Sequence, residues 1–214
     1  MEIYQTEEQQ VDAIKQYWKE YGNTLIAGII IGISGFIGFN LYKDHVLEQE
    51  VATSDAYQLV AESAGKEGNA YTQAGEQFIA ENATSSYASL TALSLAKEAA
   101  SHKDWGQVEK YLMTAMEKAT DEGIKAIAIL RLARVQVQQQ QIEKALATLS
   151  AATPASFKAA KEEIKGDAFL KQGKKDLARN AYQAAIDAGG QNANPALQMK
   201  LDDLAEVINL SKSL

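Results

Sequence analysis

The sequence predicts an all-α protein, with one membrane-crossing helix near the amino terminus followed by a solenoid of short helical hairpins and a C-terminal capping helix. Three observations carry this reading. Residues 21–42 contain no charged side chain. From Lys43 onward there are only two prolines, Pro154 and Pro195, and apolar residues recur at three- and four-residue spacing, the period of a helix. One short pattern of small and bulky apolar residues also returns every 33 to 37 positions.

Taken in order, residues 1–20 carry Lys15 and Lys19 against five acidic residues. Thr6 and Gln9 have the spacing of a capping box, and Val11, Ile14, Trp18 and Tyr21 share one helical face. This tail is either an amphipathic helix lying on the membrane surface or an extension of the helix that follows. Residues 21–42 come next, filled with Ile, Leu, Phe and Gly. As a helix these 22 positions reach about 33 Å, against a hydrocarbon core of about 30 Å. A buried core helix seldom lacks charge for six turns, and Tyr17, Trp18 and Tyr21 before the run with Tyr42 after it match interfacial aromatic belts. The tail lacks the positive n-region of a cleaved signal peptide, so the segment is expected to stay as an anchor. Two lysines precede it and only Lys43 falls in the first 20 residues beyond it, which favours a cytoplasmic amino terminus. Gly28, Gly32 and Gly35 lie on one face, where small residues let a second helix approach; glycine is also simply common in membrane helices.

Residues 43–214 read as the helical domain. Breaks are expected at Gly65–Asn69, Thr84–Ser86, His102–Asp104, Asp121–Gly123, Gln139–Gln141, Thr153–Pro154, Gly173–Lys175 and Gly189–Pro195, leaving helices of about 12 to 18 residues. The recurring pattern is small-x3-bulky-x2-small: Ala178, Tyr182 and Ala185; Ala145, Leu149 and Ala152; Val108, Leu112 and Ala115; and loosely Ala74, Phe78 and Glu81. Its central positions are 34, 37 and 33 residues apart. That period resembles the tetratricopeptide repeat. In the last unit Gly166, Phe169, Gly173, Ala178, Tyr182 and Ala185 fall where such a repeat needs close approach, a turn and space-filling aromatics. The middle units depart from it, with Ala133 for Gly, Gln136 for the aromatic and Val108 for Ala. Pro195 opens a final helix through Leu197, Leu201, Leu204 and Ile208, expected to cap the apolar end of the stack, with Lys200, Asp202, Asp203 and Glu206 largely on its other faces.

Composition narrows the function. A net charge of −7 argues against a nucleic-acid partner, which needs a basic face to displace counterions. There is no Cys, no glycine-rich phosphate loop, no serine nucleophile elbow and no H-E-x-x-H helix. His45 and His102 are isolated, and the pairs Glu162/Glu163 and Asp202/Asp203 point about 100° apart on a helix, so they read as solvated. We expect no enzyme, catalytic residue, metal site or cofactor. Lys171, Lys174 and Lys175 form a small basic corner at a turn, read as solvation.

In the repeat register, the inner surface is built from Leu90, Leu93 and Lys97, then Ile127, Leu130, Arg134 and Val137, then Glu163, Asp167 and Leu170. Such an apolar groove suits an extended or helical segment, with Arg134 able to hold a carboxylate through paired donors. The alternative is that neighbouring helices or the capping helix fill it and make these residues core.

The chain is similar to the YfgM family of ancillary SecYEG translocon subunits. The likeness rests on M-E-I-Y at the start, V-D-A-I-K before the span, S-Y-A-S-L-T-A-L-S-L-A-K at 86–97 and L-R-L-A-R-V-Q-V-Q at 130–138. It implies a bacterial inner-membrane protein with a cytoplasmic amino terminus and a periplasmic repeat domain. It implies as partners the SecYEG channel, a PpiD-like periplasmic chaperone and translocating client proteins, with residues 1–20 available to a cytoplasmic Rcs response regulator. The competing expectation is a homo-oligomeric scaffold for envelope assembly.

Overall fold

The computed structural model describes residues 7–64 and 69–204. Thr6 of the expected capping box, residues 65–68 of the first expected break and Ile208 with Glu206 of the last helix lie outside them. No strand occurs among the described residues. By compactness the chain divides between Ala52 and Thr53.

The first unit is carried by α1, Glu7–Ser63, which is unbroken at Glu20 and at Lys43. Of the two readings of the tail, an extension of the apolar helix is therefore the one observed. The segment is long and apolar enough to cross a membrane. Its Ile, Leu and Phe side chains from Leu25 to Leu41 are exposed, the reverse of a buried core helix.

In the second unit the last turns of α1 and α2 (Ala70–Glu81) come first. Then follow α3 (Ser86–Ser101) with α4 (Trp105–Lys118), α5 (Glu122–Gln138) with α6 (Ile142–Leu149), and α7 (Lys158–Lys171) with α8 (Lys175–Asp187). Each helix packs against the next from α2 to α8, and α5 also packs against α7, the pattern of stacked hairpins.

The helices start and stop for identifiable reasons. Ser85, Asp104 and Asp121 cap α3, α4 and α5 by accepting hydrogen bonds from the backbone N–H of Tyr87, Gln107 and Ile124. Within each hairpin the first helix ends the same way. Lys103, Gln140 and Gly173 take positive φ, and the next residue's N–H reaches back to the carbonyls of Ala99, Gln136 and Phe169 at 2.8–3.0 Å. This double-bonded stop satisfies the otherwise orphaned carbonyls. The three turns are 37 and 33 residues apart, the same offsets as the apolar pattern.

Packing follows the recurring pattern. Ala178, Tyr182, Ala185, Ala145, Leu149, Val108, Leu112, Ala115 and Phe78 are all buried. Three positions differ from expectation, of which Glu81 is exposed and accepts from Gln77 at 2.8 Å. Ala152 is exposed, because α6 stops at Leu149 after only eight residues and a single 3₁₀ turn, Ala155–Phe157, leads into α7. In the first repeat Gly75, rather than Ala74, is the buried small residue, and a Cβ there would meet the Leu95 methyls at 2.9 and 3.0 Å. The Gly189–Pro195 break also holds a helical turn of its own, α9 (Gly190–Ala193), set off by Gly189 in the left-handed region. The last helix, α10 (Ala196–Asp202), is short, and it closes the stack through Leu197 and Leu204, buried with Tyr182.

Candidate functional site

The structure divides the expected inner-surface residues into three sets. Leu93, Leu130 and Val137 are buried, Leu93 within the core shared by α2 to α5 and the other two within that of α5 to α7. For them the alternative reading, core, describes what is seen. Leu90 and Ile127 are half-buried, while Lys97 is exposed. Arg134, Val137, Asp167 and Leu170 come together, joined by Gln138, Ile164 and Lys171, around a groove of about 460 Å³ between α5 and α7.

The groove has an apolar floor and a charged rim. Ile164 and Val137 form the floor because α5 and α7 turn their apolar faces toward each other, and Leu170 stays 40% exposed at the mouth. Arg134 and Lys171 are exposed and make no ion pair with any described residue. A guanidinium so placed can bind a carboxylate by two parallel donors.

Asp167 is already engaged. Lys200 Nζ of α10 donates to Asp167 Oδ1 and Oδ2 at 2.8 and 3.0 Å and to Glu163 Oε1 at 2.9 Å. Asn194 donates to Glu163 Oε1 at 2.6 Å, and the Tyr182 hydroxyl donates to Asp167 Oδ1 at 2.7 Å. The ammonium also lies 5.7 Å from the Tyr182 ring centroid. Burial alone would lower the Lys200 pKa, but the hydrogen bonds and charges of Asp167 and Glu163 outweigh it and leave it above the ordinary lysine value. Burial, then the bond to Asp167, pushes the Tyr182 hydroxyl upward. Glu163 is thus not solvated as its sequence position suggests, and Glu162 beside it accepts from Lys165 at 2.7 Å. The capping helix reaches the inner surface at Glu163 and Asp167 and stops there.

Sequence reasoning missed Lys200, Lys171, Gln138 and Ile164. Lys200 looks like part of a solvated face, and only the return of α10 onto α8 brings it to residues 33 and 37 positions earlier. A period-based register could have found Ile164, one turn before Ala168 on the buried face of α7.

A second candidate face lies on α1. Ile14, Trp18, Tyr21, Leu25, Gly28, Gly32, Gly35 and Phe39 follow an unbroken alternation of four- and three-residue steps, so they form one stripe along the helix. Trp18 lies over Gly22, 3.3 Å from where its Cβ would be, and the rings of Tyr17 and Tyr21 pack at a 39° tilt with centroids 4.9 Å apart. Elsewhere, His45 pairs with Gln49 and His102 with Glu98, both on exposed helix surface. Among the described residues no group of three His, Asp or Glu side chains could hold a metal ion.

Comparison with known proteins adds to this geometry. The model of the tetratricopeptide repeat-like domain family matches residues 15–206. An ancillary SecYEG translocon subunit of Escherichia coli (strain K12) is 35% identical over 211 residues, covering 96% of this chain and 100% of that protein. The protein of the same name from Haemophilus influenzae is 33% identical over 198 residues, 92% and 97% of the two chains. That from Neisseria gonorrhoeae is 28% identical over 211 residues, 95% and 100%. No solved structure gives a significant match.

Proposed function

Because the chain belongs to the tetratricopeptide repeat-like family and to the family of ancillary SecYEG translocon subunits, we propose that it is a non-enzymatic, membrane-anchored accessory of the SecYEG channel. In this reading α1 spans the inner membrane with the amino terminus in the cytoplasm, and its stripe through Gly28, Gly32 and Gly35 packs laterally against a translocon helix. The repeats face the periplasm and hold a segment of a partner, either a PpiD-like chaperone or an emerging client, in the α5–α7 groove. Residues 1–20 are left available to a cytoplasmic Rcs regulator.

The observation that carries this reading is the exposed rim of the groove, with Arg134, Lys171 and Leu170 around an apolar floor. Tethering makes a modest groove sufficient. Confinement beside one membrane complex raises the local concentration toward the millimolar range, so weak contacts are populated without tight intrinsic affinity.

The test is mild-detergent purification of the tagged, natively expressed protein, with mass spectrometry of what co-purifies. Translocon subunits and a PpiD-like chaperone are expected, and Gly28→Leu/Gly32→Leu should lose the channel. Recovery of the protein alone, as a stable oligomer, would replace this reading by the envelope scaffold. The groove is tested separately by Arg134→Glu/Lys171→Glu. Both residues are exposed, so the domain should stay folded while chaperone recovery falls.

A further inference from the structure

We propose that the α5–α7 groove selects apolar segments bearing carboxylates, and that Lys200, which lies outside the groove, sets this preference by engaging Glu163 and Asp167 and offsetting one of their two charges. This rests on the reading of the groove as a partner site and names the partner's chemistry.

The two helices that form the groove carry their acidic and basic groups in different states. On α7, Glu162 is bonded to Lys165, Glu163 to Lys200 and Asn194, and Asp167 to Lys200 and Tyr182. On α5, the acidic residue is Glu122, at the far amino-terminal end. From the adjoining α6, Glu143 accepts from Gln172 at 2.7 Å. The cations facing the groove are in the opposite state. Arg134 and Lys171 line it, Arg131 lies one turn before Arg134 on α5, and none of the three makes an ion pair with a described residue.

Uncommitted charge at the rim is therefore positive, although the whole chain carries −7. An entering carboxylate meets donors that it need not first detach from another acid. An entering ammonium finds Asp167 already held by three donor contacts, from Lys200 twice and Tyr182 once. The floor of Val137 and Ile164 with Leu170 at the mouth requires an apolar side chain beside the carboxylate. Removing Lys200 would leave Glu163 and Asp167 without their cation at the edge of the groove, two negative charges set against the two of Arg134 and Lys171, and so narrow this balance.

The experiment uses the full-length protein in nanodiscs of zwitterionic lipid, with empty discs as blank. Two fluorescent 15-residue amphipathic peptides share the same Leu and Phe positions, one carrying Glu and the other Lys at all polar positions, and binding is read by anisotropy. Wild type should bind the Glu peptide about fivefold or more tightly than the Lys peptide, with the gap closing in high salt. Arg134→Met/Lys171→Met should abolish the preference. Lys200→Met should narrow or invert it, and Lys200→Arg should retain it, with circular dichroism confirming the helical fold in each case. Equal binding of both peptides by wild type would overturn the charge preference while leaving the groove as a site. No binding of either would overturn the groove reading and this inference with it. A Lys200→Met protein that folds and keeps the wild-type preference would remove Lys200 from the proposal.

Discussion

The two ends of the repeat unit each contain a tyrosine hydroxyl bonded to a carboxylate that also receives a lysine, and the two assemblies differ in what they hold together. Near the amino-terminal end, Tyr111 and Lys110 of α4 both donate at 2.9 Å to Glu76 Oε1 of α2. Lys110 and Glu76 are 58% and 45% exposed, and the two helices are already joined by Phe78, Leu112 and Tyr111 in a shared core. At the carboxy-terminal end, Tyr182 and Lys200 converge on Asp167, with Glu163 and Asn194 completing the cluster, and Glu163 is only 15% exposed. Here the lysine comes from a seven-residue helix too short to persist alone. The same parts decorate a surface in one place and dock a cap in the other. What differs is burial, and whether the partners are tied together by other means.

The largest expected effect separates the two ends by backbone proximity. A Cβ on Gly166 would sit 2.3 Å from the Tyr182 ring, which is fully buried and tethered by its hydroxyl. Gly166→Ala should therefore cost about 2–3 kcal/mol in urea unfolding, whereas Gly75→Ala, which meets rotatable Leu95 methyls, should cost about 1 kcal/mol. Equal costs would show that the last hairpin is as adaptable as the first.

Next in size is the cap. Lys200→Met leaves two partly buried carboxylates without their cation and should lower stability by about 1–2 kcal/mol, while Lys110→Met should change it by about 0.5 kcal/mol or less. Matching losses in thermal melts would mean that α10 is held by Leu197 and Leu204 alone.

Alkaline pH sharpens the same contrast. Burial, then the bond to Glu76, pushes the Tyr111 hydroxyl up to about 12, and Tyr182 and Lys200 are raised as well. A raised value in the folded state gives stability that is complete below the unfolded pKa, near 10 for tyrosine, and is lost as pH rises through the folded value. Urea midpoints should fall from pH 10 through 12, and Tyr182→Phe should flatten that decline more than Tyr111→Phe. At the other limit, hydrogen bonds from Lys110 and Tyr111 hold Glu76 below its ordinary value of 4.5, so its contribution is present above that pH and fades as pH falls below it.

The smallest effects concern the turns. Lys103 and Gln140 adopt the left-handed conformation that Gly173 adopts in the last hairpin. Lys103→Gly and Gln140→Gly should each stabilise by about 0.5–1 kcal/mol, and Gly173→Ala should destabilise by a similar amount, all read by thermal melts.

Much of the fold was legible because repetition makes a weak signal strong. No single small-x3-bulky-x2-small segment proves a hairpin, but two of its offsets, 37 and 33 residues, are also those between the turns at Lys103, Gln140 and Gly173. The apolar run at 21–42 was legible because membrane thickness sets a length that few soluble helices satisfy without charge. The candidate site was less legible. The repeat register placed Leu93 and Leu130 on the inner surface, and both are buried in cores shared with neighbouring helices, a closure that local spacing does not encode.

By itself, then, the sequence determined the helical class, the long apolar helix, the period and the turn positions, since each follows from interactions within a few residues or from the solvent a segment must face. Tertiary structure alone decided which charges remain available. Lys200 meets Glu163 and Asp167 only because α10 folds back over α8, and no local pattern encodes a contact across 33 to 37 residues. That closure ties up Glu163 and Asp167 and offsets one of their two charges, leaves Arg134 and Lys171 as the uncommitted charges lining the α5–α7 groove, and so sets its sign.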